Sequence, residues 1–220
     1  MTETTGIGTF NQLHDHKFGT IGKPVAGADV RIADDGEVLL RGANIFQGYY
    51  KNDDATADTL VDGWLHTGDI GELDEDGFLK ITGRKKDIII TAGGKNLTPA
   101  NLENDLKQSR WISQAVMYGD RRPYPVALVT LDEEEILPWA RERGLPEDLH
   151  ALASDPSVRA LIQEDFDRAN AKYAQVEQIK KFAILDHDLS QESGELTPTL
   201  KVKRNVVSEM YRDRFAELYG

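Results

Sequence analysis

Basic residues that could bind phosphate groups are clustered at four places in the chain. The clusters are Arg84-Lys85-Lys86, Arg121-Arg122, Lys180-Lys181 and Lys201-Val202-Lys203-Arg204. A run of like charge is usually a solvated surface. The alternative is that some of the clusters neutralise phosphates, because cationic side chains form charge-assisted hydrogen bonds with phosphate oxygens. The clusters therefore leave two hypotheses, a plain surface or a site for a phosphorylated ligand.

The sequence Gly93-Gly94-Lys95 does not complete a Walker A phosphate loop. That pattern needs a glycine where the chain has Ile89, and a serine or threonine where it has Asn96. The segment is more typical of a glycine turn after a buried strand. Glycine still allows a narrow ligand to come close to the backbone.

Three further segments occur in a characteristic order, at 2–6, 63–87 and 194–204. Residues 83–96 read Gly-Arg-Lys-Lys-Asp-Ile-Ile-Ile-Thr-Ala-Gly-Gly-Lys-Asn, and residues 194–204 read Gly-Glu-Leu-Thr-Pro-Thr-Leu-Lys-Val-Lys-Arg. Together the segments resemble the adenylate-forming enzymes, which include acyl-CoA synthetases, adenylation domains and luciferases. The greatest similarity is to long-chain fatty-acid–CoA ligases. The resemblance covers essentially the whole chain, but only the C-terminal part of the family's usual length.

This resemblance implies a ligase that activates a fatty acid with ATP and transfers the acyl group to coenzyme A. The implied cofactors are ATP/AMP and Mg²⁺, with coenzyme A as a substrate. Thr2 would contact the AMP phosphate, and Glu3 would help to hold magnesium, for which a carboxylate oxygen is a suitable ligand. The alternative for Thr2 and Glu3 is a frayed chain terminus.

Asp69 and Arg84 match the family's nucleotide-binding pair. By resemblance, Asp69 accepts hydrogen bonds from both ribose hydroxyls, which suits a carboxylate, and Arg84 contacts the same ribose or the phosphate. The alternative is a structural Asp–Arg pair at a domain junction.

Lys86 matches the hinge at which the C-terminal domain pivots between two catalytic conformations. Its alternative is an exposed linker lysine.

Lys201 matches the lysine that contacts the substrate carboxylate and the α-phosphate during adenylation. An ammonium on a flexible stem suits a group that must enter and leave a site. The family usually has Ser-Gly before this lysine, whereas this chain has Thr199-Leu200. Lys203 is therefore a competing candidate for the same role.

The resemblance also restores a function to the glycine turn. After the pivot, Gly93 and Gly94 would line the tunnel for the pantetheine arm of coenzyme A. Lys95 would lie near the phosphates of coenzyme A.

The elements that position these residues change in character near Arg84. Residues 1–83 show short strand patterns between glycine-rich turns, which indicate a β-rich, barrel-like piece. Residues 84–220 predict a compact mixed α+β domain, so the predicted fold class is α+β with a boundary at Gly83-Arg84. By resemblance, residues 1–83 are the C-terminal remnant of the large AMP-binding domain, and residues 84–220 are the small mobile domain.

The predicted elements include two hairpins in the first part, with turns at Asp34-Asp35-Gly36 and at 74–77, and a short helix that begins near Asp53. The second part has strand patterns at 88–90, 112–118, 126–131 and 182–185. Helices are predicted to begin at Pro99, Glu133 and Pro156. One last helix carries Val207, Met210, Tyr211, Phe215, Leu218 and Tyr219 on one face.

Composition excludes several classes of protein. The net charge is −12, and residues 1–83 carry −9 of it, so a nucleic-acid polymer is not expected as a partner. The absence of cysteine excludes a disulfide scaffold and suits a reducing cytosol. No apolar run reaches the ~18 residues of a membrane span. The expected location is cytoplasmic, with peripheral membrane association open for the full-length enzyme.

The family's upstream phosphate loop and acid-binding pocket have no counterpart in this sequence. The chain is therefore expected to be inactive alone and to need the N-terminal portion of the enzyme as a partner. A severed barrel would expose strand edges, which motivates a hypothesis of homodimerisation. Two alternatives stay open. One is a solitary non-catalytic binding or regulatory module, and the other is a ligase for another carboxylic acid or for a carrier-protein acceptor.

Overall fold

The computed structural model describes residues 1–220, which fold as two units, Met1–Lys86 and Asp87–Gly220. The strands of the first unit are β1 (Thr9–Phe10), β2 (Lys23–Pro24), β3 (Ala28–Ile32), β4 (Glu37–Gly42), β5 (Leu60–Val61), β6 (Trp64–Leu73) and β7 (Leu79–Arg84). Helix α1 covers Asp53–Thr59, and 3-10 turns cover Thr2–Thr4 and Lys85–Asp87.

The main sheet of the first unit has five antiparallel strands, with β6 pairing on both of its edges. Strand β4 lies along one edge of β6, while β5 and β7 share the other edge. Strands β3 and β4 form the hairpin predicted at Asp34-Asp35-Gly36, and β6 and β7 form the second predicted hairpin. The core of this unit contains Val38, Leu40, Leu65 and Leu79.

The second unit has a three-stranded sheet between two layers of helix. Its strands are β8 (Ile89–Ile90), β9 (Asn96–Leu97), β10 (Ile112–Tyr118), β11 (Val126–Leu131) and β12 (Lys181–Ile184). Its helices are α2 (Pro99–Leu106), α3 (Glu133–Glu142), α4 (Leu149–Leu152), α5 (Pro156–Asn170), α6 (Arg204–Met210) and α7 (Arg212–Glu217). Strand β11 is central, antiparallel to β10 and parallel to β12.

Every residue of β11 is buried, which agrees with its almost wholly apolar sequence, in which Thr130 is the one polar residue. Ala127, Val129 and Leu131 face a core that includes α2, α3 and α5. The alternate residues Val126 and Leu128 face a second core that includes α6 and α7. Successive side chains of a strand point to opposite faces, so one short strand serves both cores.

The α+β class is confirmed, but the predicted last helix is wrong as a single element. Residues 204–217 form α6 and α7 instead, because Tyr211 leaves the helical conformation (φ −105°, ψ 23°). Tyr211 donates a hydrogen bond to Glu195 at this break. Met210, predicted on the buried face, is 52% exposed.

The strand predicted over 88–90 is only partly correct. Strand β8 covers Ile89 and Ile90, and Ile90 is 49% exposed rather than buried. Its backbone carbonyl accepts from the Arg121 amide at 2.7 Å, and its amide donates to Asp120 Oδ1 at 3.1 Å. Helix α4, which Asp148 caps at the Ala151 amide, was not predicted.

None of the helices has the length and apolar character that a membrane span requires. The assignment of residues 1–83 and 84–220 to two functional domains stays a prediction.

Candidate functional site

Asp69 and Arg84 lie directly opposite each other on β6 and β7. Arg84 Nε contacts Asp69 Oδ1 at 2.7 Å, and the two side chains are 24% (Asp69) and 52% (Arg84) exposed. The two residues are 15 positions apart in the sequence (84 − 69), and the β6–β7 hairpin brings them together. A ligand could therefore reach both a carboxylate and a guanidinium from solvent.

A bulge in β6 determines where Asp69 lies. Between the pairs Leu39–His66 and Glu37–Ile70, β6 has more residues than β4. Gly68 occupies the left-handed region at φ 70°, which glycine adopts without strain. Thr67 Oγ1 donates to the Val38 carbonyl at 2.6 Å and accepts from the Asp69 amide at 3.1 Å. Side chains thus replace the missing ladder hydrogen bonds at this bulge.

A cavity of about 210 Å³ adjoins Asp69. Its lining includes Met1, Thr4, Ile7, Thr67 and Ile81. Thr2 and Glu3 are not among the lining residues. The structure thus places the segment that contains them next to the cavity, without directing either side chain into it.

Thr2 and Glu3 lie in the 3-10 turn at the start of the chain. Glu3 Oε1 accepts a hydrogen bond from Tyr49 Oη at 2.9 Å, and the Glu3 carbonyl accepts from the Phe46 amide at 2.8 Å. The frayed-terminus alternative does not describe a segment held in this way. A single carboxylate fits Mg²⁺ as one of few protein ligands, because Mg²⁺ commonly takes its other ligands from phosphates and water.

The Gly93-Gly94-Lys95 segment forms the turn between β8 and β9. The Gly94 amide donates to the Thr91 carbonyl at 2.9 Å, and the Lys95 amide donates to Thr91 Oγ1 at 3.2 Å. Gly94 has φ 77°, as a tight glycine turn requires. Lys95 Nζ lies 3.5 Å from Glu177 Oε1. A phosphate at Lys95 would have to compete with Glu177.

Lys201 ends a tight hairpin loop in the second unit. The Thr197 amide donates to the Lys201 carbonyl at 2.8 Å, and the Lys201 amide donates to Thr197 Oγ1 at 3.0 Å. Leu196 and Val202 form a β-bridge at the base of the loop. The side chains of Lys201 and Lys203 are both exposed and make no ion pair, and Lys203 lies at the N-cap of α6.

Lys86 is exposed in the 3-10 turn 85–87 and is the last residue of the first unit. This position is compatible with a hinge, because a loop residue can absorb large changes in φ and ψ.

Residues 86–220 match the family model for the AMP-binding enzyme C-terminal domain, and residues 1–50 match that for the AMP-binding enzyme. The chain belongs to the AMP-binding enzyme family.

Curated relatives of this chain include long-chain-fatty-acid–CoA ligases. FadD15 of Mycobacterium tuberculosis is 47% identical over 222 residues, which cover 100% of this chain and 37% of FadD15. ACSBG2 of Xenopus laevis is 37% identical over 245 residues, covering 100% of this chain and 33% of that protein. The chain thus spans little more than a third of the length of the relatives it matches.

Solved structures share the fold. The ATP-bound RpMatB-BxBclM chimera B1 has a TM-score of 0.71 and 26% identity, covering 97% of this chain and 40% of its own. MenE, the O-succinylbenzoate coenzyme A synthetase of Bacillus subtilis, in complex with ATP and magnesium, has a TM-score of 0.67 and 25% identity, covering 93% and 39%.

The sequence patterns do not predict the burial of four carboxylates in this chain, Glu37, Glu103, Asp165 and Glu195. Glu37 is 4% exposed and Glu195 is 0% exposed. Glu195 accepts hydrogen bonds from the Ser190 amide at 3.0 Å and from the Ser193 and Tyr211 hydroxyls. Burial by itself raises the pKa of Glu195, but these hydrogen bonds outweigh it and leave the pKa below its usual value. For Glu37 the available sequence signal was its position directly before the apolar run Val38-Leu39-Leu40, whereas Glu195 has no such run beside it.

Proposed function

We propose that this chain is the C-terminal part of an AMP-forming long-chain fatty-acid–CoA ligase. The observation that carries the proposal is the 47% identity along the whole chain to ligases of that name. In the proposed reaction, a fatty-acid carboxylate oxygen attacks the α-phosphorus of ATP and pyrophosphate leaves. The thiol of coenzyme A then attacks the acyl carbonyl, and AMP leaves.

Asp69 and Arg84 are proposed to bind the nucleotide. The pair is supported by its geometry, since a partly exposed carboxylate lies 2.7 Å from a guanidinium nitrogen. A carboxylate accepts hydroxyl hydrogen bonds, and a guanidinium donates to phosphate or ribose oxygens. The two residues therefore offer complementary groups for ribose and phosphate.

Thr2 is proposed to contact the AMP phosphate, and Glu3 to provide a ligand for Mg²⁺. When bound, the cation would neutralise charge on the phosphates. The hydrogen bond from Tyr49 to Glu3 Oε1 restricts the carboxylate and so prepares its orientation.

Lys201 is proposed to contact the substrate carboxylate and α-phosphate during adenylation. Its exposed ammonium on a closed loop supports this role. Residues 84–220 are proposed to be a mobile domain that pivots at Lys86, while residues 1–83 belong to the large domain. For thioester formation, Gly93 and Gly94 are proposed to line the pantetheine path, with Lys95 near the phosphates of coenzyme A.

The proposed partners are ATP, a fatty acid, coenzyme A and the N-terminal portion of the ligase, with a homodimer as a further hypothesis. The proposed location is the cytoplasm, with peripheral membrane association open for the complete enzyme.

An exchange of segments tests the proposed function. The region of FadD15 that matches this chain is replaced by residues 1–220, and ATP–pyrophosphate exchange and acyl-CoA formation are measured with a panel of carboxylic acids. We expect both activities with long-chain acids. The 220-residue chain alone, as control, is expected to give no exchange. A folded chimera without either activity would overturn the proposal.

A further inference from the structure

Glu37 is a carboxylate buried in the first unit, at the start of β4. Its side chain is 5% exposed, and the following residues Val38 to Leu40 are also buried. Burying a carboxylate costs free energy unless cations or hydrogen-bond donors compensate it. The groups that compensate the charge of Glu37 therefore indicate its structural or functional role.

The two oxygens of Glu37 bind the chain neighbours of Asp69 and Arg84. Oε1 accepts the amide hydrogen of Gly68, the residue before Asp69, at 2.8 Å. Oε2 lies 2.9 Å from the ammonium of Lys85, the residue after Arg84. One buried carboxylate thus connects β6 at Gly68 to the residue that follows β7, Lys85.

Two further charged or titratable side chains complete this cluster. His66 Nδ1 lies 3.0 Å from Glu37 Oε2, and Lys85 also contacts Asp35 Oδ2 at 2.7 Å. Burial by itself raises the pKa of Glu37, but hydrogen bonds from Lys85, His66 and the Gly68 amide lower it below its usual value. The carboxylate is therefore held in its charged form, which gives strong hydrogen bonds.

The bulge explains why a side chain is needed here. Gly68 has φ 70° and lies where the β4–β6 register shifts. Glu37 supplies the acceptor for the Gly68 amide. Without that acceptor the bulge would have an unsatisfied donor, and Asp69 would lose its fixed position relative to β7.

We propose that Glu37 is a positioning residue that aligns Asp69 with Arg84 by holding Gly68 and Lys85. The inference deepens the proposed function, because its importance rests on the nucleotide role of Asp69 and Arg84. Glu37 acts through Gly68 and Lys85, which are the chain neighbours of Asp69 and Arg84.

The test uses the ¹⁵N-labelled 220-residue chain without nucleotide. Hydrogen exchange of the Arg84 Nε–H reports the contact with Asp69, and exchange of the Gly68 amide reports the contact with Glu37. The variants are Glu37→Gln, Glu37→Ala and, as matched control, Glu72→Gln, which removes an exposed carboxylate paired with Lys80 on the same sheet.

Glu37→Gln removes the charge that Lys85 contacts, and Lys85 directly follows Arg84. We therefore expect Arg84 Nε–H exchange to accelerate about tenfold, the effect of losing one charge-assisted hydrogen bond. Gly68 should keep partial protection, since the glutamine carbonyl can accept its hydrogen bond. Glu37→Ala should lose protection at both positions, and Glu72→Gln at neither.

Unchanged Arg84 Nε–H exchange in folded Glu37→Gln would overturn the proposal. If Glu37→Ala does not fold, the result for Glu37→Gln alone is the test. A purely structural role would lower the melting temperature without a selective change at Arg84. The proposed function is tested separately by the FadD15 chimera, so the two failures are distinguishable.

Discussion

Arg84 Nε contacts Asp69 Oδ1 at 2.7 Å across β6 and β7, and the arginine of this pair is half exposed. Exposed ion pairs contribute about 0–1 kcal/mol to stability. A purely structural role would therefore be weak, whereas both groups are accessible to a ligand. The exposure of the pair is compatible with the nucleotide hypothesis, which stays a prediction.

Arg84→Gln is expected to leave the free energy of unfolding within about 1 kcal/mol of the parent. In the FadD15 chimera it should raise KM for ATP about tenfold, the effect of losing a charged hydrogen-bond donor worth ~1.4 kcal/mol. The control is Arg41→Gln, which breaks the exposed Arg41–Asp29 pair of the same sheet. Equal KM values for the two variants would contradict the nucleotide role.

A second prediction concerns Leu200, which has φ 58° and is 63% exposed. The left-handed conformation costs a residue with a Cβ about 1–2 kcal/mol. Leu200→Gly should therefore be more stable than Leu200→Ala by about 1 kcal/mol, since alanine keeps the Cβ. Urea unfolding of both variants measures the difference. An alanine variant as stable as the glycine variant would contradict it.

A third prediction concerns acid unfolding and Glu195, whose pKa is lowered in the folded state from an ordinary value of 4.5. The unfolded chain binds the proton more tightly, so this contribution to stability is present above pH 4.5 and is lost as the pH falls through the folded pKa. Glu195→Gln should be less stable near neutral pH.

The same variant should take up fewer protons on acid unfolding, with a shallower slope of stability against pH. Glu147→Gln is the control, because Glu147 also has a lowered pKa but belongs to an exposed, solvent-screened pair with Arg141, so this variant should change the slope less. If the free energy of unfolding fell with the same slope at acid pH for Glu195→Gln and the parent, the result would count against the network around Glu195.

A fourth prediction concerns the ion pair between Glu103 and Arg204, which joins α2 to α6. Arg204 Nη1 and Nη2 contact Glu103 Oε1 and Oε2 at 2.8 and 2.7 Å, and Nη1 also donates to the Met117 carbonyl. Arg204→Met should cost about 3 kcal/mol, because it leaves a buried carboxylate without its cation.

The matched control is Arg212→Met, which removes an exposed pair with Glu209 and should cost less than about 0.5 kcal/mol. Adding Glu103→Gln to Arg204→Met should restore part of the stability. Chemical denaturation measures all three variants, and similar losses for Arg204→Met and Arg212→Met would refute the argument.

Local patterns predicted most elements of this fold. The turns at Asp34-Asp35-Gly36 and at 74–77 predicted both hairpins, and the mainly apolar segment 126–131 predicted β11, because each signal lies within a few residues. The break at Tyr211 was not predicted, and the hydrogen bond that Tyr211 donates there goes to Glu195, 16 positions earlier in the sequence.

The candidate site was less predictable for the same reason. The roles of Asp69, Arg84 and Lys201 came from resemblance, and stay predictions. The contact of Glu37 with Lys85 spans 48 positions in sequence, and that of Glu103 with Arg204 spans 101. No periodicity or turn signal encodes such a pair, because it forms only when separate elements pack.

The last prediction decides between Lys201 and Lys203. Lys201 lies in the exposed loop closed by Thr197, whereas Lys203 donates its amide to the Glu195 carbonyl at 2.7 Å at the start of α6. In the FadD15 chimera, Lys201→Ala should slow ATP–pyrophosphate exchange about 100-fold, as expected for removal of a group that stabilises transition-state charge. Thioester formation from preformed acyl-adenylate should change far less, since that step needs no charge neutralised at the α-phosphate by this lysine.

Lys203→Ala should affect both half-reactions weakly. Equal losses in both half-reactions for Lys201→Ala would refute its role, and a larger loss of exchange in Lys203→Ala would move that role to Lys203.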